Sequence, residues 1–240
     1  MRHRVALLAA LAVAGCSAGH VTTTQNAPAA ALPPPAQVVV TDFAITPDEV
    51  KLDRGVSPSL MRAYSGQPAT EAQVQAAQAT QAALSETLVA ALRADGLPAV
   101  RMAPGATMAP GTLLVQGQIL GVDEGNRTRR LLIGLGAGKS HVDADSQLYY
   151  VADPARPQFL RAFNGSADSG RMPGAAETLG AGAAAQTVGP SALATAGTHT
   201  AAETQRTGNE ANADALARAL AHQIGTYAAA QGWIAASAVK

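Results

Sequence analysis

Residues 129–151 read RRLLIGLGAGKSHVDADSQLYYV, and no other stretch so narrows the folds open to the chain. If its glycines cradled phosphate, the protein would be an α/β nucleotide binder. If they joined two strands, the sheet would be built around a hairpin. A phosphate loop needs G-x-x-x-x-G-K-[ST] with a strand before it and a helix after it. Taking Gly138, Lys139 and Ser140 as the end of that pattern, the first glycine should fall at 133, which is Ile133. The residues that follow alternate. Val142, Ala144, Leu148 and Tyr150 share one side of an extended chain, a period of two and not of 3.6. A strand has no helix N-terminus with which to hold phosphate. The dinucleotide pattern G-x-G-x-x-G also fails, because Gly134, Gly136 and Gly138 alternate. Residues 131–140 are therefore expected to be extended or turn-like, with no bound nucleotide. Alternating glycines leave one face of such a segment bare, so another backbone or an aromatic ring can approach it closely.

Periodicity elsewhere supplies the partners of that hairpin. QVVVTDF (37–43) has the β-branched run of a core strand. From Thr70 to Asp95, Val74, Ala77, Leu84, Leu88 and Leu92 form one helical stripe. Thr70 with Gln73 matches a capping box, and DGLP at 95–98 is a glycine stop followed by proline. PAVRMA reads as a short strand and GTLLVQGQILGVDEG as a longer one. SHVDADSQLYYVAD and PQFLRAFNGSAD read as two strands joined by a turn at DPARP. A second helix spans about 209–230, with Leu216, Leu220, Ile224 and Tyr227 on one face and Trp233 just beyond, placed to pack back on the core. The expected class is α+β: a mixed sheet of about five strands covered by two main helices, forming one domain over 37–240. Within it, 171–205 is rich in Gly, Ala and Thr and reads as a low-complexity loop.

The chain start points to an export signal. Arg2, His3 and Arg4 precede an apolar run from Val5 to Ala14, about ten residues, where spanning a bilayer takes roughly 20. The VAGC ending at Cys16 resembles the bacterial lipobox. That resemblance implies a signal peptide over 1–15 and a mature chain that begins at a lipidated Cys16. Ser17 in the next position favours the outer membrane, with the domain facing the periplasm. Cys16 is the sole cysteine, so no disulfide framework is open to the chain. From Ser17 to Ala36 the Ala, Thr and Pro content, including LPPPAQ, reads as a flexible linker over 16–36 that lifts the domain off the membrane.

Formal net charge is +0 and aromatics make up 3% of the chain. Neither the electrostatic footprint nor the stacking platforms of a nucleic-acid binder are present. Against that neutral background, Arg127, Arg129, Arg130 and Lys139 place four cations within thirteen residues. Guanidinium groups match carboxylates in bidentate geometry. Arg127, Arg130, Gly134, Gly136, Gly138 and Lys139 are thus the candidate contact surface for an envelope protein partner, a second copy of the chain or peptidoglycan. His141, Asp143 and Asp145 share one face of their strand and form the alternative, a metal site for a cell-wall hydrolase. Alternate strand residues lie about 6.8 Å apart, however, which seldom lets three ligands converge. No G-x-S-x-G elbow occurs. The reading is non-enzymatic, with no cofactor and no metal.

VVVTDF, the long helix, LLVQGQILGVDEGNRTRRLLIGLGAGKSHV and the paired strands together resemble the bacterial lipoprotein family called domain of unknown function 4410, over roughly 37–170. The glycine–arginine block carries most of that resemblance. It implies a fold and an envelope setting, without a reaction. In strand–helix–strand order the opening is also similar to the curli secretion lipoprotein and to the TolB amino-terminal domain.

Overall fold

The computed structural model describes residues 18–53 except Ala29, then Ser59, Gly66, and 68–126, 138–169 and 208–240. Seven strands and two long helices follow in the order β1 (Ala18–Asn26), β2 (Gln37–Thr41), β3 (Val50–Lys51), α1 (Ala69–Ala94), β4 (Ala99–Met102), β5 (Thr112–Asp123), β6 (His141–Val151), β7 (Gln158–Asp168) and α2 (Gly208–Ala230). One mixed sheet has the order β1-β7-β6-β5-β2-β4, and β3 pairs with the far end of β5. The pairs β5–β6, β6–β7 and β7–β1 are antiparallel. Those of β2 with β4 and β5, and of β3 with β5, are parallel. The class is α+β, as expected, with two more strands than the sequence patterns indicate.

Both helices lie on one face of the sheet. Leu84, Leu88 and Leu92 of α1 and Leu216, Leu220 and Ile224 of α2 share a core with Val38, Val40, Leu113, Val115, Val142 and Leu148. A smaller cluster of Val39, Leu114 and Val151 sits on the other face beneath Val100, Met102, Met108 and Tyr149. Strand alternation explains the division, since neighbours such as Leu113 and Leu114 point to opposite faces. Burying a leucine or valine contributes about 1.5–3 kcal/mol, so the helix-covered face holds most of the stabilisation.

Two local expectations change. The segment 16–36 does not behave as a linker over Ala18–Asn26. It is the edge strand β1, paired with β7 from Ala18↔Asp168 to Asn26↔Arg161. Composition hides it because an edge strand with a hydrogen-bonded partner needs little apolar area of its own, and among its described side chains Val21 alone reaches the core. The residues after β1 are tied down as well. The Gln231 amide donates to the Ala30 carbonyl (3.1 Å) and Trp233 Nε1 to the Leu32 carbonyl (3.0 Å). The Thr70–Gln73 capping box does not form. Pro68 occupies the N-cap position, and Gln73 Nε2 instead donates to the Val50 carbonyl (2.9 Å), joining α1 to β3. The stop of α1 is as read, with Gly96 at φ +92° and Leu97 N–H donating to the Leu92 carbonyl. Trp233 does pack back, edge-on to Tyr227 and tilted over Tyr150.

Candidate functional site

The glycine–arginine block enters and leaves the fold at the open end of the β5–β6 hairpin. The last paired residues there are Asp123 and His141. Asp123 accepts from the Gly125 N–H (2.8 Å), and Asn126 N–H donates to the Gly138 carbonyl (3.0 Å). Gly125 and Gly138 hold φ of +69° and +76°, a region that side chains disfavour. Space forbids a side chain too. A Cβ on Gly125 would collide with the carbonyls of Gly138 and Lys139, and one on Gly138 with the Asn126 carbonyl. The close backbone approach read from the glycine pattern is therefore found at Gly138. Arg127, Arg129, Arg130, Gly134 and Gly136 lie outside the described residues, as does Cys16.

Lys139 is held on the fold. Its Nζ lies 3.2 and 3.1 Å from the two carboxylate oxygens of Asp168, clamping the hairpin neck to the end of β7. Ser140 is buried and receives a hydrogen bond from Asn212 Nδ2 of α2 (3.0 Å), and its own N–H donates to Ser169 Oγ (3.2 Å). The next residue begins β6, so no helix starts at Lys139. The helix dipole and free amides that a phosphate loop uses are missing at this point.

His141, Asp143 and Asp145 line the face of β6 away from the helices, as the alternation predicts. His141 Nε2 contacts Asp143 Oδ2 at 2.9 Å, and Asp145 Oδ1 accepts from Asn164 Nδ2 of β7 at 2.8 Å. Two of the three thus pair with each other, and the third is held by β7. Among the described residues, no three His, Cys, Asp or Glu side chains are grouped so as to hold a metal ion. Glu124 Oε2 accepts from the Asp53 N–H (2.9 Å), joining the end of β5 to the residues after β3, while Asp123 closes the turn at Gly125.

The pattern of the family described as "Domain of unknown function (DUF4410)" matches residues 38–186. The chain belongs to this family. No curated protein matches it. Among solved structures, the PelC dodecamer from Paraburkholderia phytofirmans is 16% identical, with a TM-score of 0.31, over 62% of this chain and 80% of that one. A single-substitution variant of the same dodecamer, in another crystal form, is 16% identical over the same shares, with a TM-score of 0.29. Likeness at that level carries nothing further about this chain. The DUF4410 match begins at Val38 and ends before α2, so β1 and α2 complete the sheet and the core from outside the matched span.

Three groups around the DUF4410 region escape sequence reading. Asp95, at the end of α1, is buried. Burial pushes its carboxyl above the usual range, partly offset by the hydrogen bond from the Lys240 N–H and by the charges of Lys240 and His222. Arg101 of β4 pairs with Asp42 and with Glu86. Its guanidinium is raised chiefly by the hydrogen bond to Asp42. Arg161 stacks over the Tyr227 ring at 4.7 Å, while burial raises the Tyr227 hydroxyl. All three join residues far apart in the chain, and no local spacing announces such contacts.

Proposed function

We propose that this protein is a lipid-anchored component of the bacterial envelope that acts by binding and performs no reaction. Its Cys16 carries the anchor at the outer membrane, and the Arg127–Lys139 segment contacts a partner protein, a second copy or peptidoglycan. One observation supports the non-enzymatic part. His141 and Asp143 pair with each other while Asp145 is held by Asn164 of β7, so the three do not turn together on one point as a hydrolytic centre would need. The anchor rests on the short apolar run and on VAGC. No helix among the described residues is long and apolar enough to cross a membrane.

The contact surface rests on how the hairpin is built. A rigid neck of Gly125 and Gly138 and the Lys139–Asp168 clamp fix both ends of a segment with three arginines in four positions. Desolvated arginine–carboxylate pairs contribute a few kcal/mol to an interface, whereas exposed ones mainly alter association rate. The test changes Arg127 and Arg130 together to Gln. Mass by light scattering and retention on purified peptidoglycan are compared with the parent. The proposal expects at least one to fall, and both unchanged with an intact circular dichroism spectrum would contradict it. Stoichiometric metal that is lost in His141→Ala would establish the hydrolase reading instead.

A further inference from the structure

Cys16 stands two residues before Ala18, where β1 begins. Two residues of fully extended chain span at most about 7 Å, so a lipid on Cys16 cannot sit far from the first residue of the sheet. The registers show which part of the sheet that is. Ala18 pairs with Asp168, Asp168 with His141, His141 with Asp123 and Asp123 with Lys51. These five residues form one row across β1, β7, β6, β5 and β3. At about 4.8 Å per strand spacing the row is roughly 19 Å wide. The opposite end of β6 and β7, with the exposed turn around Ala155, lies ten residues away along β6, or about 34 Å.

Resting on the lipid-anchor reading above, we propose that the row Ala18–Asp168–His141–Asp123–Lys51 is the membrane-facing end of the domain, apposed to the phospholipid headgroups around the anchor. Side-chain chemistry at this end fits a headgroup layer. Lys51 is exposed, and the Lys139–Asp168 and His141–Asp143 pairs are each about a third or more exposed. Leu120, the one large apolar side chain exposed among the described residues, lies three positions from Asp123, beside a bulge in β5. The domain is thus held by a corner of its sheet, without a stalk, and its 152–157 turn points away from the bilayer.

The test uses the full lipidated protein in vesicles of phosphatidylethanolamine and phosphatidylglycerol that carry a headgroup quencher. Lys51→Cys and Ala155→Cys are each labelled with a small fluorophore, the Cys16 thiol being blocked by its lipid. Strong quenching at position 51 and little at 155 is the expected result. A Gly/Ser insertion of roughly 20 residues between Ser17 and Ala18, with about 25 Å of reach, should abolish the quenching at 51 while the protein still floats with the vesicles. Equal quenching at both positions, or no effect of the insertion, would overturn the orientation and leave the anchor intact. A protein that fails to float with vesicles at all would overturn the anchor reading and the orientation with it.

Discussion

Gly125 and Gly138 face one another across the neck of the β5–β6 hairpin, each in a backbone conformation that other residues disfavour and each without room for a Cβ. At an unstrained site, replacing glycine by alanine stabilises a protein by about 0.4–1 kcal/mol. Here the sign reverses, because the backbone strain alone costs about 1–3 kcal/mol. Gly125→Ala should therefore lower the urea midpoint, and an unchanged or raised midpoint would show that the neck is not tight. Asp95 makes the second residue-scale prediction. Its folded carboxyl binds a proton more tightly than the unfolded one, because burial penalises the charge. Its contribution to stability is therefore fully present below the ordinary value of 3.8 and is lost as pH rises through the raised one. Asp95→Asn removes that titration, so the stability of the variant relative to the parent should increase with pH across this window. Parallel urea midpoints for the two proteins over a pH series would contradict the assignment.

Among elements, β1 depends on two glycines that let α2 approach the sheet edge. A Cβ at Gly19 would enter the Ala215 carbonyl of α2, and one at Gly165 would press on Leu216 and Val21. Backbone cannot yield as a side-chain tip can, so Gly19→Val should destabilise by about 1–3 kcal/mol. Thr22→Val, at an exposed position of the same strand, should stay within about 0.5 kcal/mol. Urea unfolding of both variants checks the contrast, and equal effects would deny β1 its packing on α2. The elements legible in the sequence were those with a long periodic signal. Leu84, Leu88 and Leu92 marked α1, and Val142 to Tyr150 marked β6, because each repeats the burial pattern of its own geometry. Gly19 and Val21 gave no such signal in a segment rich in Ala, Thr and Pro. The pairing of β1 is a contact between residues some 140 positions apart. The capping box failed for a similar reason, since Gln73 reaches β3 and not its own helix end.

At the scale of the whole molecule, a sheet with both helices on one face places the β5–β6 hairpin and the start of β1 at the same end. That arrangement puts the described ends of the arginine segment on the same side as the proposed anchor, which favours a partner protein or a second copy at the membrane surface over peptidoglycan as its contact. Of the candidate site, the sequence made Gly138 and the alternating face of His141, Asp143 and Asp145 legible. It could not show that Lys139 is engaged by Asp168, or that Asp145 is taken by Asn164, because both partners come from β7. The envelope setting proposed for the chain depends on whether the domain is held at a membrane through Cys16. Cell fractionation of the parent and of Cys16→Ser, with the membranes washed in high salt, measures this directly. The account predicts that the parent stays with the membrane and that Cys16→Ser moves wholly to the soluble fraction. A Cys16→Ser protein that still pellets with washed membranes would contradict it.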